Sequence, residues 1–215
     1  MKRIRKSLFT SMCLLTLFIL WTAAISFIDV RAIGPEGSSV GFSGINGYFH
    51  KLTGVHWELY SITDWLGLVP IFVCMGFGIL GFVQLIKRKS INKVDRDILV
   101  LGGFYMVTIV TYLFFESVVI NYRPVLIDGV LEASYPSSTT MLVMCVMPTA
   151  ILQLNRRIKN NAVRYTVIVA IILFITFMVI GRLISGVHWL TDIIGGALLS
   201  AGLVITYYSV CRIFR

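Results

Sequence analysis

Charged side chains are scarce in this sequence. Asp, Glu, Lys and Arg together make up 13% of its 215 residues, whereas a soluble globular domain carries about 25%. Hydrophobic residues make up 57%, and the mean hydropathy is +0.87. This shortage of charge excludes an ordinary soluble domain and predicts a polytopic membrane protein. The length suits about six membrane-spanning helices with short connections.

Cysteine pairs and clustered carboxylates are also missing. The four cysteines, Cys13, Cys74, Cys145 and Cys211, lie in or at the end of apolar segments and show no paired spacing. We therefore predict small core residues rather than disulfides or metal ligands. No carboxylate cluster demands a metal, so neither a metal site nor a cofactor is predicted.

The apolar runs predict an all-α fold, a six-helix transmembrane bundle that forms a single integral membrane domain over residues 1–215. The spans are predicted at residues 8–28, 63–86, 98–115, 137–154, 165–184 and 190–210. The first run follows a basic flank like that of a signal peptide. It exceeds a typical h-region and has no clear cleavage site, so an uncleaved span is favoured. The aromatic-rich connection over 29–61 is predicted to be an outer loop along the membrane interface.

The net charge of +9 is distributed as in a membrane protein rather than a nucleic-acid-binding protein. Bases cluster beside the ends of apolar runs, and fifteen of the nineteen fall on the side that holds both termini. The other side keeps Arg31, Lys51, Arg123 and Arg182, with eight of the ten acids. The positive-inside rule therefore predicts a multi-pass protein of the cell membrane with both termini cytoplasmic. We predict that the protein interacts with a lipid bilayer and that it does not bind nucleic acid.

The segment 181–192 lies between two apolar runs, yet it contains an arginine, a histidine and an aspartate. His188 and Asp192 are four residues apart and would stand on one face of a helix. The carboxylate could then accept the imidazole N–H and leave the other nitrogen free as a nucleophile. A break at Ser185-Gly186 would let the chain bring Arg182, a planar donor suited to phosphate, near that nitrogen.

A simpler interpretation of this segment is an interfacial turn. Trp189 would anchor at the lipid headgroups and Arg182 would extend towards them. The segment also holds Gly186-Val187-His188-Trp189, which echoes Gly54-Val55-His56-Trp57 in the outer loop. One short echo does not establish an internal repeat.

Two further polar segments are predicted at the same, extracytoplasmic face. Arg123-Pro124 places a second arginine beside a rigid turn. Residues 136–140 open the fourth span, where free N–H groups and the helix dipole favour an anion. Simple N-capping is the alternative for these hydroxyls, and it is compatible with anion binding. Arg123, Ser137, Ser138 and Arg182 are thus the predicted phosphate-binding residues, and His188 and Asp192 the predicted catalytic residues.

With these residues in place, the sequence resembles the phosphatidic acid phosphatase type 2 superfamily of membrane lipid phosphatases. That family's motifs are a lysine separated by six residues from Arg-Pro, then Pro-Ser-Gly-His, then Ser-Arg, five residues, His, three residues, Asp. Arg123-Pro124 matches the first, Pro136-Ser137 half of the second, and Arg182, His188 and Asp192 the third. The resemblance implies that His188 forms a phosphohistidine, that Asp192 orients it, and that Arg123, Arg182 and Ser137 bind phosphate. It also implies metal-independent chemistry.

The sequence departs from the family at two places. Glu116 replaces the lysine of the first motif, and Ser138-Thr139 replaces the Gly-His of the second. The missing histidine is the family's general acid, and its loss typically slows a reaction by about 10²–10⁴-fold. Glu116 would repel a phosphate unless an arginine neutralised it, or would itself supply the proton if burial kept it protonated. His50 or His56 of the outer loop are the other candidate acids.

Two functions remain open at this level. One is a lipid phosphatase that hydrolyses a phosphomonoester or diphosphate, with polyprenyl diphosphates favoured because a diphosphate leaving group needs less protonation than an alkoxide. The other is a catalytically impaired relative that binds or transports a lipid phosphate. The His188–Asp192 pair favours the enzyme, since binding alone does not need an oriented nucleophile. A structural membrane protein without a site is the least favoured.

Overall fold

The computed structural model describes residues 2–214, and this part of the chain is largely helical. Its α-helices are α1 (Lys2–Phe27), α2 (Ser43–Thr53), α3 (Trp57–Leu66), α4 (Leu68–Arg88), α5 (Arg96–Ser117), α6 (Ser138–Arg157), α7 (Asn161–Ile184) and α8 (Leu190–Ile213). Short 3₁₀ helices at Pro35–Gly37 and Ile91–Lys93 lie in the connections.

Six helical segments of the described chain are long and apolar enough to cross a membrane, which confirms the predicted six-helix bundle. The first begins at Lys2 rather than at residue 8, because the lysines and arginines of the basic flank are good helix formers. The second is longer than predicted. It runs from Trp57 to Arg88, since α3 and α4 follow each other across Gly67.

Large apolar side chains cover the outside of the bundle. Phe72, Ile79 and Phe82 on α4 are each more than 60% exposed, and α1, α5 and α7 carry similar residues. An apolar surface of this extent is unfavourable in water, whereas lipid tails accept it. The cysteines differ in the same way between the buried interior and the exposed outside of the bundle. Cys145 and Cys211 are buried as predicted, but Cys13 is exposed on α1 because it faces away from the other helices.

Helices α1 and α8 pack against each other in opposite directions. Ser209 Oγ donates to Ser7 Oγ at 2.8 Å, and Trp21 Nε1 donates to the Thr191 carbonyl at 3.2 Å. The beginning of α1 therefore lies beside the end of α8, while the beginning of α8 lies at the other end of the bundle. All three predicted functional segments belong to that second end.

The end of the bundle that holds the termini is tied together by ion pairs. Arg157 at the end of α6 lies 3.2 Å from Asp97 and 3.7 Å from Asp95 at the start of α5. Arg88 at the end of α4 lies 2.8 Å from Asp95. The basic loops assigned to the cytoplasm thus meet at one end. Arg215, counted with them, lies outside the described residues.

The connection over 29–61 is more ordered than a simple interfacial loop. Asp29 Oδ2 accepts the Gly44 N–H at 2.7 Å, at the start of α2. Asn46 on α2 then donates to Thr191 Oγ1 at 3.0 Å and accepts the Thr191 N–H at 3.2 Å. These bonds hold α2 against the first turn of α8. Its outward side remains apolar, since Ile45 is 53% exposed and Leu52 68%.

Candidate active site

The connection between α5 and α6 folds back on itself as a short hairpin. The Arg123 N–H donates to the Glu132 carbonyl at 3.0 Å, and the Ser134 N–H to the Asn121 carbonyl at 2.9 Å. At its tip, Asp128 and Gly129 both have positive φ, which closes the turn. The hairpin holds Arg123 and Ser134 at fixed positions beside the start of α8.

The turn between α7 and α8 breaks the helix where the sequence predicts a break. Gly186 has a φ of +72°, and a Cβ there would lie 1.9 Å from the Gly54 carbonyl oxygen. The His56 N–H donates to the Ser185 carbonyl at 3.0 Å. The two echoing Gly-Val-His-Trp segments are therefore in contact with each other, and only glycine fits at Gly186.

His188 is buried in this turn, with 4% of its surface exposed. Its Nε2 lies 3.3 Å from Arg182 Nη2, and its Nδ1 lies 3.0 Å from Ser134 Oγ. The expectation that His188 and Asp192 share one helix face is wrong, because α8 begins at Leu190 and His188 precedes it. Nδ1 and Asp192 Oδ2 are 3.9 Å apart, which is too long for a direct hydrogen bond.

Asp192 is completely buried and accepts several hydrogen bonds. Its Oδ2 accepts from Ser134 Oγ at 2.5 Å and from the Trp189 N–H at 2.9 Å. Asn121 Nδ2 lies 3.5 Å from the other oxygen, Oδ1. The contact with Trp189 closes the first turn of α8, so one carboxylate both caps the helix and faces the histidine through Ser134.

The surroundings of His188 favour the neutral imidazole. Burial lowers its pKa well below the ordinary value of 6.5, and the positive charges of Arg123 and Arg182 lower it further. At neutral pH the ring therefore keeps a lone pair, and a neutral ring is what nucleophilic attack requires.

Arg182 is held by the outer part of α3. It lies 3.5 Å from Thr63 Oγ1 and 3.6 Å from Asp64 Oδ1, and its guanidinium stacks over Tyr60 with 4.9 Å to the ring centre. Its Nε is buried without a hydrogen-bond partner in the described structure. The sequence predicted Arg182 near the histidine, and the structure brings them together.

Arg123 reaches the same place from the hairpin. Its Nε forms an ion pair with Glu132 Oε2 at 3.1 Å, and only 8% of the residue is exposed. Its Nη1 is buried, and no acceptor for it exists in the part of the chain that is described. Its positive charge is one of the causes that lower the pKa of His188.

Ser137 does not cap α6 with its side chain. The residue occupies the N-cap position, yet its hydroxyl makes no capping bond and is buried unpaired in the described structure. The capping interpretation therefore fails for Ser137. The first N–H groups of α6 have no acceptor within the helix, so this helix start offers both a hydroxyl and amides to an anion.

Comparison with known proteins decides the family. The model of the PAP2 superfamily matches residues 71–214. The chain belongs to the PAP2 superfamily. It is also similar in fold to the crystal structure of the first transmembrane PAP2-type phosphatidylglycerolphosphate phosphatase from Bacillus subtilis, with a TM-score of 0.62 and 18% identity, over 95% of this chain and 97% of that one. No curated protein matches the sequence.

The chain is therefore a multi-pass membrane protein of a phosphatase family. Its departures from the family's motifs can now be located in the structure. Thr139, at the position of the family's acid, is half-buried. A Cβ added to Gly67 would lie 3.5 Å from its Cγ2, so Thr139 packs beside the junction of α3 and α4. Ser138 lines a small cavity together with Glu116 and Ser134.

The three candidate general acids lie in different surroundings. Glu116 is exposed at the end of α5 rather than buried. His56 is exposed, and its Nε2 lies 2.8 Å from the Thr53 carbonyl. His50 packs against the Trp189 ring at 5.5 Å, on the side of α2. The structure brings none of the three into hydrogen-bond contact with His188.

Sequence reasoning missed the residues that orient the predicted ones. Ser134 and Asn121 contact Asp192, while Tyr60, Thr63 and Asp64 surround Arg182. Ser134 lies two residues before Pro136, but nothing in its local pattern marks it. These contacts join residues that are at least 58 positions apart, which no sequence periodicity records.

Proposed function

We propose that this protein is a membrane lipid phosphatase that works through a phosphohistidine on His188. The observation that carries the proposal is the neutral, buried imidazole whose Nε2 faces the Arg182 guanidinium at 3.3 Å. A histidine held only for packing has no need of an unprotonated nitrogen beside a fixed cation. A phosphate on Arg182 would lie within reach of that nitrogen.

The phosphate would be bound by groups whose donors are otherwise unused. Arg123 Nη1, Arg182 Nε and Ser137 Oγ are buried without partners among the described residues. The free amides at the start of α6 add the positive end of a helix dipole. Buried unpaired donors are unfavourable by about 1–3 kcal/mol each, and an anion would satisfy them together.

In the proposed reaction, the Nε2 lone pair attacks phosphorus and forms an N–P bond. The bond from phosphorus to the leaving oxygen breaks, and its electron pair goes to that oxygen. Asp192 compensates the positive charge that the ring gains. Water then attacks phosphorus, the N–P bond breaks with its electron pair returning to Nε2, and the proton of the water leaves with the inorganic phosphate.

The leaving group favours a polyprenyl diphosphate as the substrate. Thr139 cannot supply a proton near neutral pH, and none of Glu116, His50 and His56 makes a hydrogen bond to His188 in the described structure. A lipid monophosphate departs as a stable anion without protonation, whereas an alkoxide does not. The substrate class therefore follows from the missing second-motif acid.

The outer face of the cell membrane is the proposed place of reaction. The site lies at the end of the bundle opposite to the ion-paired basic loops, where few Lys and Arg residues occur. The positive-inside rule assigns the basic end to the cytoplasm.

Trapping the intermediate tests the mechanism. Purified protein is mixed with a radiolabelled polyprenyl diphosphate in the presence of a chelator and quenched in base. We expect an acid-labile, base-stable phosphoprotein with the wild type and none with His188→Ala. His56→Ala, at an exposed histidine, is the matched control and should label normally. If the wild type is not labelled, and if His188→Ala binds lipid phosphate as well as the wild type does, the binding or transport function is favoured instead.

The substrate class is tested by restoring the acid. Thr139→His should raise turnover of a lipid phosphomonoester more than turnover of the corresponding diphosphate, because only the monoester must expel an alkoxide. Equal gains on both substrates, or a wild type that prefers the monoester, would contradict the diphosphate assignment.

A further inference from the structure

Ser134 stands between the two catalytic residues. Its Oγ lies 3.0 Å from His188 Nδ1 and 2.5 Å from Asp192 Oδ2. These two partners are themselves 3.9 Å apart. The residue is buried, with 2% of its surface exposed. The hairpin hydrogen bond from the Ser134 N–H to Asn121 fixes its position.

The donors and acceptors around His188 permit one arrangement of protons. Arg182 can only donate, so Nε2 must accept and carries no proton. The proton of the neutral ring is then on Nδ1, which donates to Ser134 Oγ. The Ser134 hydroxyl is left to donate to the Asp192 carboxylate.

We propose that Ser134 is a positioning residue that couples Asp192 to His188 and fixes the Nδ1–H tautomer, which leaves Nε2 as the attacking atom. Its kinetic consequence rests on the phosphatase function proposed above. When the N–P bond forms, the ring becomes positively charged and Nδ1 keeps its proton. The Nδ1–H to Ser134 to Asp192 chain then becomes charge-assisted and shortens. No proton has to leave the ring at this step.

Replacing the hydroxyl should slow the chemical step while leaving binding intact. For Ser134→Ala we expect kcat to fall about 10–100-fold, as for other residues that orient a reactive histidine. KM should change little, because both hydrogen bonds of Ser134 Oγ are used within the protein. Ser134→Thr retains the hydroxyl and should recover most of the rate. Ser200→Ala, which removes an equally buried hydroxyl that bonds to the Met141 carbonyl, is the control for folding.

A double-mutant cycle separates a relay from a purely structural role. If Ser134 acts through Asp192, then Ser134→Ala should have little further effect on kcat in an Asp192→Asn background. If the two substitutions caused independent structural defects, their fold-reductions in kcat would instead multiply. Full additivity of the two changes would overturn the proposal, and so would a Ser134→Ala enzyme with unchanged kcat.

The tautomer can be measured without any turnover. The chain has three histidines, so histidine-selective nitrogen-15 labelling gives a small set of signals, and His188 is assigned by their loss in His188→Ala. We expect its proton on Nδ1 in the wild type. A proton on Nε2 would overturn the relay even in an active enzyme. Failure of the phosphatase proposal is distinct, because it would show as a wild type that hydrolyses no lipid phosphate.

Discussion

Arg182 is the most enclosed basic side chain of the described structure, with 1% of its surface exposed. Its one nearby carboxylate, on Asp64, is 58% exposed and lies 3.6 Å away. A solvated carboxylate compensates a buried cation only weakly. The burial of Arg182 therefore does not stabilise the fold. It is better explained as preparation for an anion, which also accounts for the unpaired Nε.

The same charges determine how His188 responds to pH. Because burial, Arg123 and Arg182 lower its pKa, the ring should remain neutral as the pH falls through 6.5, where an ordinary histidine is half-protonated. Titration of its nitrogen-15 signals should show this directly. Adding inorganic phosphate should raise the midpoint, since a bound anion offsets the two arginines. A midpoint near 6.5 in the free protein would contradict the site's electrostatics.

The lowered pKa of His188 should also make the folding stability of the protein depend on pH. The unfolded chain regains the ordinary histidine pKa and binds a proton as the pH falls below 6.5, whereas the folded chain does not. The contribution of His188 to stability is thus present above 6.5 and is lost at lower pH. This pH dependence should be smaller in His188→Ala.

At the level of elements, α3 supports the site by packing closely on α7. A Cβ added to Gly181 would lie 2.8 Å from Thr63 Cγ2 and 3.6 Å from Leu59 Cδ1. The absence of a side chain at Gly181 is what allows Tyr60, Thr63 and Asp64 to reach Arg182. Gly181, the residue before Arg182, thus acts through helix packing.

Gly181→Ala should separate these two helices. We expect it to destabilise the protein by about 1–3 kcal/mol, as overpacking does, and to raise KM because Arg182 loses its contacts. Thermal unfolding and steady-state kinetics measure both effects. Gly102→Ala on α5 is the matched control, since its added Cβ would meet no atom of another described element within 4 Å. Equal behaviour of the two variants would show that the α3–α7 contact does not position Arg182.

The whole molecule has two chemically different ends. One end holds both described termini and an ion-pair cluster of Arg88, Asp95, Asp97 and Arg157. The other end holds the candidate site, the hairpin and α2. A lipid phosphatase needs this polarity, because its substrate has its phosphate at one surface and its chain in the bilayer.

Cysteine labelling in intact cells tests which end faces outward. In a background without the four native cysteines, Ser39→Cys should react with an impermeant reagent, because it is exposed near α2. Asn92→Cys and Asn155→Cys, exposed at the basic end, should react only after permeabilisation. The reverse pattern would contradict the proposed orientation and the outward-facing site.

The sequence by itself determined the spans, the break at Ser185-Gly186 and the meeting of His188 with Arg182. Apolar runs of about 20 residues have few alternatives to a membrane helix. Glycine and serine end α7 locally, and the six-residue spacing brings the arginine back to the histidine. Each of these features depends on neighbours in the chain, so local pattern is sufficient to predict it.

Only the tertiary structure decided how the histidine is oriented and what holds the arginine. His188 and Asp192 looked like a direct pair by spacing, but α8 begins after the histidine, and Ser134 fills the 3.9 Å between the two side chains. Thr63 meets Arg182 across 119 positions of sequence. Such contacts form because separate helices and a hairpin pack at one end of the bundle. Their geometry depends on interhelical packing, for which a single sequence carries no local signal.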